Sequence, residues 1–317
     1  MAKQQAAVVW FEDLGSGDVP RVGGKNASLG EMIQALKDEG VRVPDGFATT
    51  ADAYRTFLEA NDLTARIQAH LDELRGDHER ALEKIGKAIR TLFRRAKFPE
   101  EIATEIRQAY HDLSRRYNTE EVDVAVRSSA TAEDLPEASF AGQQETFLNV
   151  SGEDDLLDAC RRCYASLFTD RAISYRQQHG FDHLQVALSI GVQKMVRSDT
   201  AGAGVMFSID TDTGFPHVVL INAAWGLGKN VVQGTVNPDQ YTVFKPLLDH
   251  PHLLPIIDKK LGEKEKKWIN ATGGSATTKN INTSKEERQS YVLSDGEIIQ
   301  LSVRGEFRGS AAARLSI

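Results

Sequence analysis

Length, composition and charge limit what this chain can be. It has 317 residues, of which 41% are hydrophobic and 26% charged, enough for two lobes that each bury a core. Its net charge of −7 argues against nucleic acid as the main partner, because nucleic-acid-binding proteins usually carry an excess of basic residues. No apolar run approaches the ~18 residues of a membrane span, and the polar start lacks the apolar stretch of a secretory signal. We therefore expect a cytoplasmic protein with no membrane partner.

The two cysteines, Cys160 and Cys163, form a Cys-x-x-Cys pair that suggests a redox or zinc site. A zinc site needs two more ligands at a compatible spacing, and none lie nearby. Arg161 and Arg162 also replace the turn-forming pair of a thioredoxin-type motif. We therefore expect two reduced thiols and no metal site.

Helical patterns dominate the first part of the chain, after a short strand predicted over residues 7–11. A helix is predicted over residues 26–39, where apolar residues fall on one stripe and Gly40 ends the pattern. A Pro44-Asp45-Gly46 turn follows. Residues 50–117 show further helical spacing, which predicts a helical insert in the first lobe.

Strand patterns begin where Val122, Val124 and Val126 alternate with other residues, and residues 146–150 form another β-prone run. Helices are predicted over 154–178, and a second β-rich stretch extends from 186 to 244. We place the lobe boundary so that residues 1–183 form the first lobe and 184–301 the second, with a tail over 302–317. The charged stretch 259–267 and the Gly/Thr-rich stretch 271–278 are interpreted as solvated surface.

The first glycine-rich segment is Val22-Gly23-Gly24-Lys25-Asn26, at a predicted helix start. Free N–H groups and the positive end of the helix dipole, next to a lysine, suit a phosphate. The segment is not a Walker A loop, because Val19 and Asn26 occupy positions that the motif reserves for other residues. An ordinary helix N-terminus explains it equally well.

The second segment runs from Ala125 to Asp134 and continues from Ser139 to Glu145. Its strand ends on Arg127, a forked and permanently charged donor for phosphate oxygens, while Ser128 and the Gly142-Gln143 loop can close over a nucleotide. The alternative is a hydroxyl-rich turn in which Arg127 pairs with a nearby carboxylate.

The third segment combines residues 192–196 with Ala224-Trp225-Gly226-Leu227-Gly228. A strand of alternating polar and apolar residues that crosses a cleft can hold an adenine. The commoner alternative is an amphipathic strand with a surface lysine. Neither Gly226-Leu227-Gly228 nor Gly202-Ala203-Gly204 completes a dinucleotide-binding glycine series.

Taken together, these segments resemble the amino-terminal ATP-binding domain of phosphoenolpyruvate synthase (pyruvate, water dikinase), from about residue 9 to about residue 301. Related dikinases and rifampin phosphotransferases share the first blocks, whereas Trp225 and Asn237-Pro238-Asp239 favour the synthase. The resemblance rests on the blocks 21–32, 125–134, 139–145, 224–228, 231–234 and 236–239.

The resemblance implies an ATP-grasp fold, an α/β (α+β) architecture in which two lobes hold ATP and Mg²⁺ between them. In the full-length family, ATP phosphorylates a histidine on a swivelling domain, which carries the group to pyruvate. Such enzymes belong to pyruvate metabolism and gluconeogenesis. Pyruvate and the phosphohistidine domain would therefore be partners of other domains.

The resemblance also implies roles for individual residues. Lys25 and Arg127 would hold the triphosphate during catalysis, with Ser128 beside them. The Gly142-Gln143 loop would cover the nucleotide, and Gln193, Lys194, Met195 and Val196 would line the adenine pocket.

Two departures from the family pattern stand out. Lys229 occupies a position where the family usually has glutamate, and the strands expected after residue 301, which carry the main Mg²⁺ ligands, are not found. We interpret residues 302–317 as the product of a frameshift or premature stop, and expect an ATP-binding part that is not competent alone. The alternatives are the ATP-binding part of a rifampin-type phosphotransferase and a non-catalytic nucleotide-binding fragment.

Overall fold

Contacts divide the chain into two units, Met1–Met195 (unit 1) and Val196–Ile317 (unit 2). The computed structural model describes residues 6–37, 41–74, 79–131, 134–135, 138–139, 145–250, 252–271, 278–306 and 315–316. Within this part of the chain, no helix has both the length and the apolar character that crossing a bilayer requires.

Unit 1 is built on an antiparallel sheet whose described strands follow the order β1-β2-β7-β3-β6. A separate pair, β4 and β5, forms a small hairpin. The strands are β1 (Val8–Trp10), β2 (Gly46–Thr49), β3 (Val124–Ala130), β4 (Asp134–Leu135), β5 (Ala138–Ser139), β6 (Thr146–Val150) and β7 (Leu188–Lys194).

Helices cover both faces of this sheet. The larger core lies on one face, where Val124, Val126 and Val192 pack against Phe93 and Tyr164, and α1 packs on the other face. Thr50 and Thr169 cap α2 and α7 by accepting a hydrogen bond from the backbone three residues on. The helices are α1 (Val19–Leu36), α2 (Ala51–Ala60), α3 (Leu63–Asp72), α4 (Glu79–Arg95), α5 (Glu100–Arg116), α6 (Glu153–Ser166) and α7 (Asp170–Gln178).

The two cysteines belong to the larger core of unit 1. Cys160 and Cys163 are free, fully buried and carried by α6. Burial raises the pKa of Cys160 to about 12 and also raises the pKa of Cys163. Both thiols are therefore protonated and inert at neutral pH, as a core position requires.

Unit 2 contains a second antiparallel sheet, with the described strands in the order β11-β10-β9-β8-β14, and a separate hairpin of β12 and β13. Its core gathers Val219, Ile221, Tyr241, Val243 and Ile298. The elements are β8 (Gly202–Phe207), β9 (Val218–Trp225), α8 (Lys229–Val232), β10 (Asp239–Phe244), β11 (Ile256–Lys260), β12 (Lys266–Asn270), β13 (Thr278–Asn282), α9 (Lys285–Gln289), α10 (Asp295–Glu306) and β14 (Leu315–Ser316).

The mixed α/β composition expected from the sequence is confirmed, with antiparallel pairing in both sheets. The division at Met195 lies beyond the boundary expected after residue 183. The reason is that β7 pairs with β2 on one side and β3 on the other, so it completes the sheet of unit 1.

The prediction of solvated surface over residues 259–267 is wrong in part, because β11 and β12 enter this stretch from its two ends and Lys264 is fully buried. The lysines obscured a strand pattern, since Lys260 and Lys266 are exposed while Lys259 and Lys267 are half-buried and form ion pairs. In the second stretch, residues 272–277 lie outside the described residues. The boundary expected at 301/302 falls inside α10, which continues to Glu306 and buries Ser302.

Candidate functional site

Arg127 lies on the α1-facing side of the unit 1 sheet. Side chains alternate along β3, so Val124 and Val126 enter the larger core while Arg127 points to the opposite face. Its Nη2 donates a hydrogen bond to Oε1 of Gln193 over 2.6 Å.

The Nε of Arg127 lies out of solvent contact without a hydrogen-bond partner, and no described carboxylate is paired with this arginine. Burial lowers the pKa of the Arg127 guanidinium. Arg127 is therefore a desolvated cation with unused hydrogen-bonding capacity.

A break in α1 places Lys25 at the start of a helical segment. Gly23 has φ 75° and ψ 161°, a conformation essentially reserved for glycine, so the helix restarts at Gly24. Lys25 is exposed in the first turn of this second segment. The first N–H groups of a helical segment lack intrahelical acceptors and carry the positive end of its dipole. The prediction of a lysine at a helix start is thus confirmed, although the start lies inside a longer helix.

The same break is packed directly against the end of β3. A Cβ at Gly23 would overlap the side chain and carbonyl of Ser129. The backbone N–H of Asn26 donates to Oγ of Ser129 over 3.4 Å, and its Nδ2 donates to Oγ of Ser189 over 2.9 Å. Because Ser129 is two positions beyond Arg127, these contacts bring the lysine-bearing helix start beside β3 within unit 1. The prediction that the strand ends on Arg127 is wrong, since β3 continues to Ala130 and Arg127 lies at its centre.

Gln193 joins this face through the pairing of β3 with β7. The register places Ala125 opposite Gln193 and Arg127 opposite Gly191, so all four residues share one face of the sheet. While Oε1 of Gln193 accepts from Arg127, its Nε2 donates to the carbonyl of Pro44 over 2.9 Å. Both ends of the amide are therefore engaged.

Of the remaining residues expected at an adenine pocket, Lys194 does not share the face of Gln193. Lys194 points to the other side of β7, where its Nζ donates to the carbonyl of Met195 over 2.8 Å and lies 5.5 Å from the ring of Tyr117. Met195 is buried and ends unit 1, whereas Val196 is exposed and begins unit 2.

Ser128 does not share the face of Arg127. Ser128 is buried and lies opposite Ile190, on the face of β3 away from Arg127. Gly142 and Gln143 lie outside the described residues.

Sequence reasoning missed Asn26, Ser129 and Ser189 as the residues that fix α1 to the sheet. Asn26 was noted only because a Walker A loop would have another residue there. Its position directly after the glycine-lysine run was an available signal. No sequence signal pointed to Ser189, because its contact with Asn26 depends on the pairing of distant strands.

In unit 2, the glycine-rich turn after β9 is held by the β12–β13 hairpin. Gly226 has φ 82°, and Leu227 donates its N–H to the carbonyl of Trp268 over 2.8 Å. Lys229, which begins α8, places its Nζ 4.1 Å from the centre of the Trp268 ring. The lysine that departs from the family pattern thus makes a cation–π contact in this structure. Trp225 donates its indole N–H to the carbonyl of Glu287 over 2.8 Å.

Comparisons with known proteins place this arrangement in a family. Residues 19–306 match the family model for the pyruvate phosphate dikinase, AMP/ATP-binding domain. The chain therefore belongs to this family of AMP/ATP-binding domains.

Its relatives include phosphoenolpyruvate synthases. The protein of that name from Synechocystis sp. is 54% identical over 304 residues, which cover 95% of this chain and 37% of the relative. The Escherichia coli phosphoenolpyruvate synthase is 50% identical over 299 residues, covering 93% of this chain and 37% of that protein. A probable phosphoenolpyruvate synthase from Methanocaldococcus jannaschii is 43% identical over 298 residues, covering 94% of this chain and 24% of the relative.

These matches confirm the resemblance to phosphoenolpyruvate synthases, which are enzymes. The chain spans little more than a third of the length of the two bacterial relatives.

Proposed function

We propose that this chain binds ATP, with the phosphates received on unit 1 by Arg127 and the start of the second helical segment of α1. The observation that carries the proposal is the state of Arg127, whose Nε is desolvated and without a partner while no described carboxylate offsets its charge. A buried cation is unfavourable unless an anion compensates it. A phosphate group would supply both the charge and the hydrogen-bond acceptors.

Neighbouring groups support a polyanion at this position. The dipole of the segment that starts at Gly24 favours negative charge, and the packing of Gly23 on Ser129 holds that segment beside β3. Lys25 projects from the first turn on a flexible stem. Phosphoryl transfer depends mainly on positioning and charge neutralisation, which these groups would provide.

We further propose that the two units correspond to the lobes of an ATP-grasp fold and that the chain supplies the phosphoryl donor in a phosphoenolpyruvate synthase-type reaction. In that reaction ATP, pyruvate and water yield AMP, phosphoenolpyruvate and phosphate, by way of a phosphohistidine. The names of the relatives favour this reaction over a rifampin-type phosphotransferase.

Magnesium is the cofactor that this chemistry implies. Across the residues described above, no group of three or more His, Cys, Asp or Glu side chains could hold a metal ion. The described residues therefore do not fit a magnesium centre of their own, and the proposal assigns their role to the phosphates alone.

Isothermal titration of the 317-residue chain with ATP tests the proposal. We expect micromolar affinity, and a loss of about tenfold or more in Arg127→Ala and in Lys25→Ala, since each removes a charge-assisted contact. Arg66→Ala and Lys87→Ala, which change exposed residues on α3 and α4, serve as charge-matched controls and should bind like the parent chain.

Two results would contradict the proposal. One is the absence of ATP binding by a folded chain. The other is equal affinity in the parent chain and Arg127→Ala, which would place the phosphates elsewhere.

A further inference from the structure

The Gln193 side chain bridges two fixed points on the α1-facing side of unit 1. Its Oε1 accepts from Nη2 of Arg127 over 2.6 Å, and its Nε2 donates to the carbonyl of Pro44 over 2.9 Å. Because the Pro44 carbonyl can only accept, the nitrogen end of the amide must face it and the oxygen end must face the arginine. The orientation of the amide is therefore determined by the backbone.

Two glycines beside Gln193 allow close packing on this face of the sheet. Gly46 lies opposite Gln193 on β2, and a Cβ there would overlap the Val192 carbonyl. Gly191 lies opposite Arg127 on β3, and a Cβ there would overlap Oδ1 of Asn26. The side chains nearest to these two positions are the ring of Phe11 and the amide of Asn26.

A neutral partner has a specific consequence for the arginine. An amide oxygen fixes the direction of the guanidinium through one hydrogen bond but leaves its full positive charge uncompensated. A carboxylate at the same place would fix the direction equally well and neutralise the charge. The Nε of Arg127, which is desolvated and unpartnered, therefore stays available to an anion when the neighbour is the neutral amide and not when it is a carboxylate.

We infer that Gln193 is a positioning residue that aims Arg127 at the phosphates of the nucleotide, and not a contact to the adenine base. This inference rests on the proposed ATP-binding function. It assigns to Gln193 a role through the arginine, which predicts that substitutions change recognition of the phosphates and leave recognition of the nucleoside unchanged.

Titration of the full chain with ATP, and competition by adenosine, test the inference in four variants. Gln193→Glu keeps the shape and adds a charge, and Gln193→Met removes the amide. Arg127→Met and the Arg127→Met/Gln193→Met pair complete a double-mutant cycle. Gln177→Glu, an exposed position on α7, is the charge-matched control, and the melting temperature of each variant reports whether the fold is intact.

We expect Gln193→Glu to weaken ATP binding by about tenfold or more, since its carboxylate would neutralise the arginine, with adenosine affinity unchanged. Gln193→Met should weaken ATP binding by about threefold to tenfold, and that effect should disappear in the Arg127→Met background. Gln177→Glu should bind ATP like the parent chain. A purely structural role would lower the melting temperature and affect ATP and adenosine alike.

Three outcomes would overturn the inference. Gln193→Glu could bind ATP as the parent does, or adenosine affinity could fall in parallel with ATP affinity. The third outcome is that the Gln193→Met substitution reduces ATP affinity as much in the Arg127→Met background as in the parent. These outcomes differ from failure of the proposed function, in which the parent chain itself would not bind ATP or Arg127→Met would bind it normally.

Discussion

Two fully buried charges hold several segments of unit 2 together. Asp239 accepts hydrogen bonds from the Nζ of Lys264, from the hydroxyl of Tyr241 and from the backbone N–H groups of Gly262 and Val292. The pair thus links β10 to the turn before β12 and to the segment before α10. Asp239, part of the Asn237-Pro238-Asp239 block, therefore has a structural role, because its carboxylate accepts all of these hydrogen bonds.

Asp239→Asn should therefore destabilise the chain strongly. Removing one member of a buried ion pair leaves the other charge uncompensated, at a typical cost of about 3–5 kcal/mol. Asp258→Asn is the matched control, because Asp258 is exposed and lies 3.5 Å from the exposed Lys260, and a change within about 0.5 kcal/mol is expected. Urea unfolding followed by the fluorescence of Trp225 and Trp268 measures the free energy of unfolding of both variants. Similar losses of stability in the two would contradict this account.

Another buried cation, Arg176 of α7, has neutral partners among the described residues. Its Nε donates to Nδ1 of His183 over 2.9 Å and its Nη2 donates to the carbonyl of Leu167 over 2.7 Å. Burial and the positive charge of Arg176 lower the pKa of His183 from 6.5 to about 4, although the charge of Asp182 opposes this shift. The folded state therefore holds His183 neutral.

Stability should consequently depend on the protonation of His183. Below pH 6.5 the unfolded chain binds a proton at His183 that the folded chain excludes. The contribution of neutral His183 to the free energy of unfolding is therefore complete above pH 6.5 and is lost as the pH falls towards about 4. His183→Gln keeps an acceptor for Arg176 but cannot titrate. Its unfolding free energy should fall less steeply between pH 7 and pH 5 than that of the parent, with His252→Gln as the exposed control. Identical slopes in the parent and His183→Gln would be inconsistent with a neutral buried His183.

At the scale of single residues, the sequence indicated candidate residues but not their contacts. The glycine-flanked Lys25 and Arg127 could be named from local motifs, although β3 continues past Arg127 to Ala130. The contacts of Gln193 with Arg127 and Pro44 could not, because they depend on the register between β3 and β7, which brings together residues far apart in the chain.

Among the elements, α1 bears most directly on the site, and its break at Gly23 is set by close packing. The glycine combines a φ of 75° with direct contact to the end of β3, so the start of the second helical segment is fixed against the sheet. A helix without this break would leave its positive end at Val19, away from Arg127.

Gly23→Ala should therefore impair both stability and ATP binding. The backbone conformation alone disfavours a side chain by about 1–3 kcal/mol, and the overlap with Ser129 adds to it. Gly17→Ala is the control, because its added Cβ would meet nothing within 4 Å. Thermal unfolding and ATP titration of both variants provide the test, and a Gly23→Ala chain as stable as Gly17→Ala would show that the break is not required.

The pattern of apolar residues predicted α2, α5 and β3 well, since each has one buried face. It failed over residues 259–267, where a lysine-rich composition concealed β11, β12 and the buried Lys264. Composition indicates solvent exposure only when no partner charge is available, and the partner Asp239 lies in a distant segment.

For the whole molecule, length and composition predicted two lobes, and the contacts define two units. The contacts divide the chain after Met195 and not after residue 183, because β7 pairs with strands earlier in the chain although a β-rich pattern continues from it into unit 2. The family match extends across both units, from residue 19 to residue 306. The proposed phosphate site, by contrast, uses side chains of unit 1.

A crystal structure of the chain with ATP is the most direct test of this account. We expect phosphate oxygens at about 3 Å from Nε of Arg127 and from the first N–H groups of the segment that begins at Gly24, with Gln193 still bound to the arginine. Well-defined ATP whose phosphates contact neither Arg127 nor this helix start would contradict it.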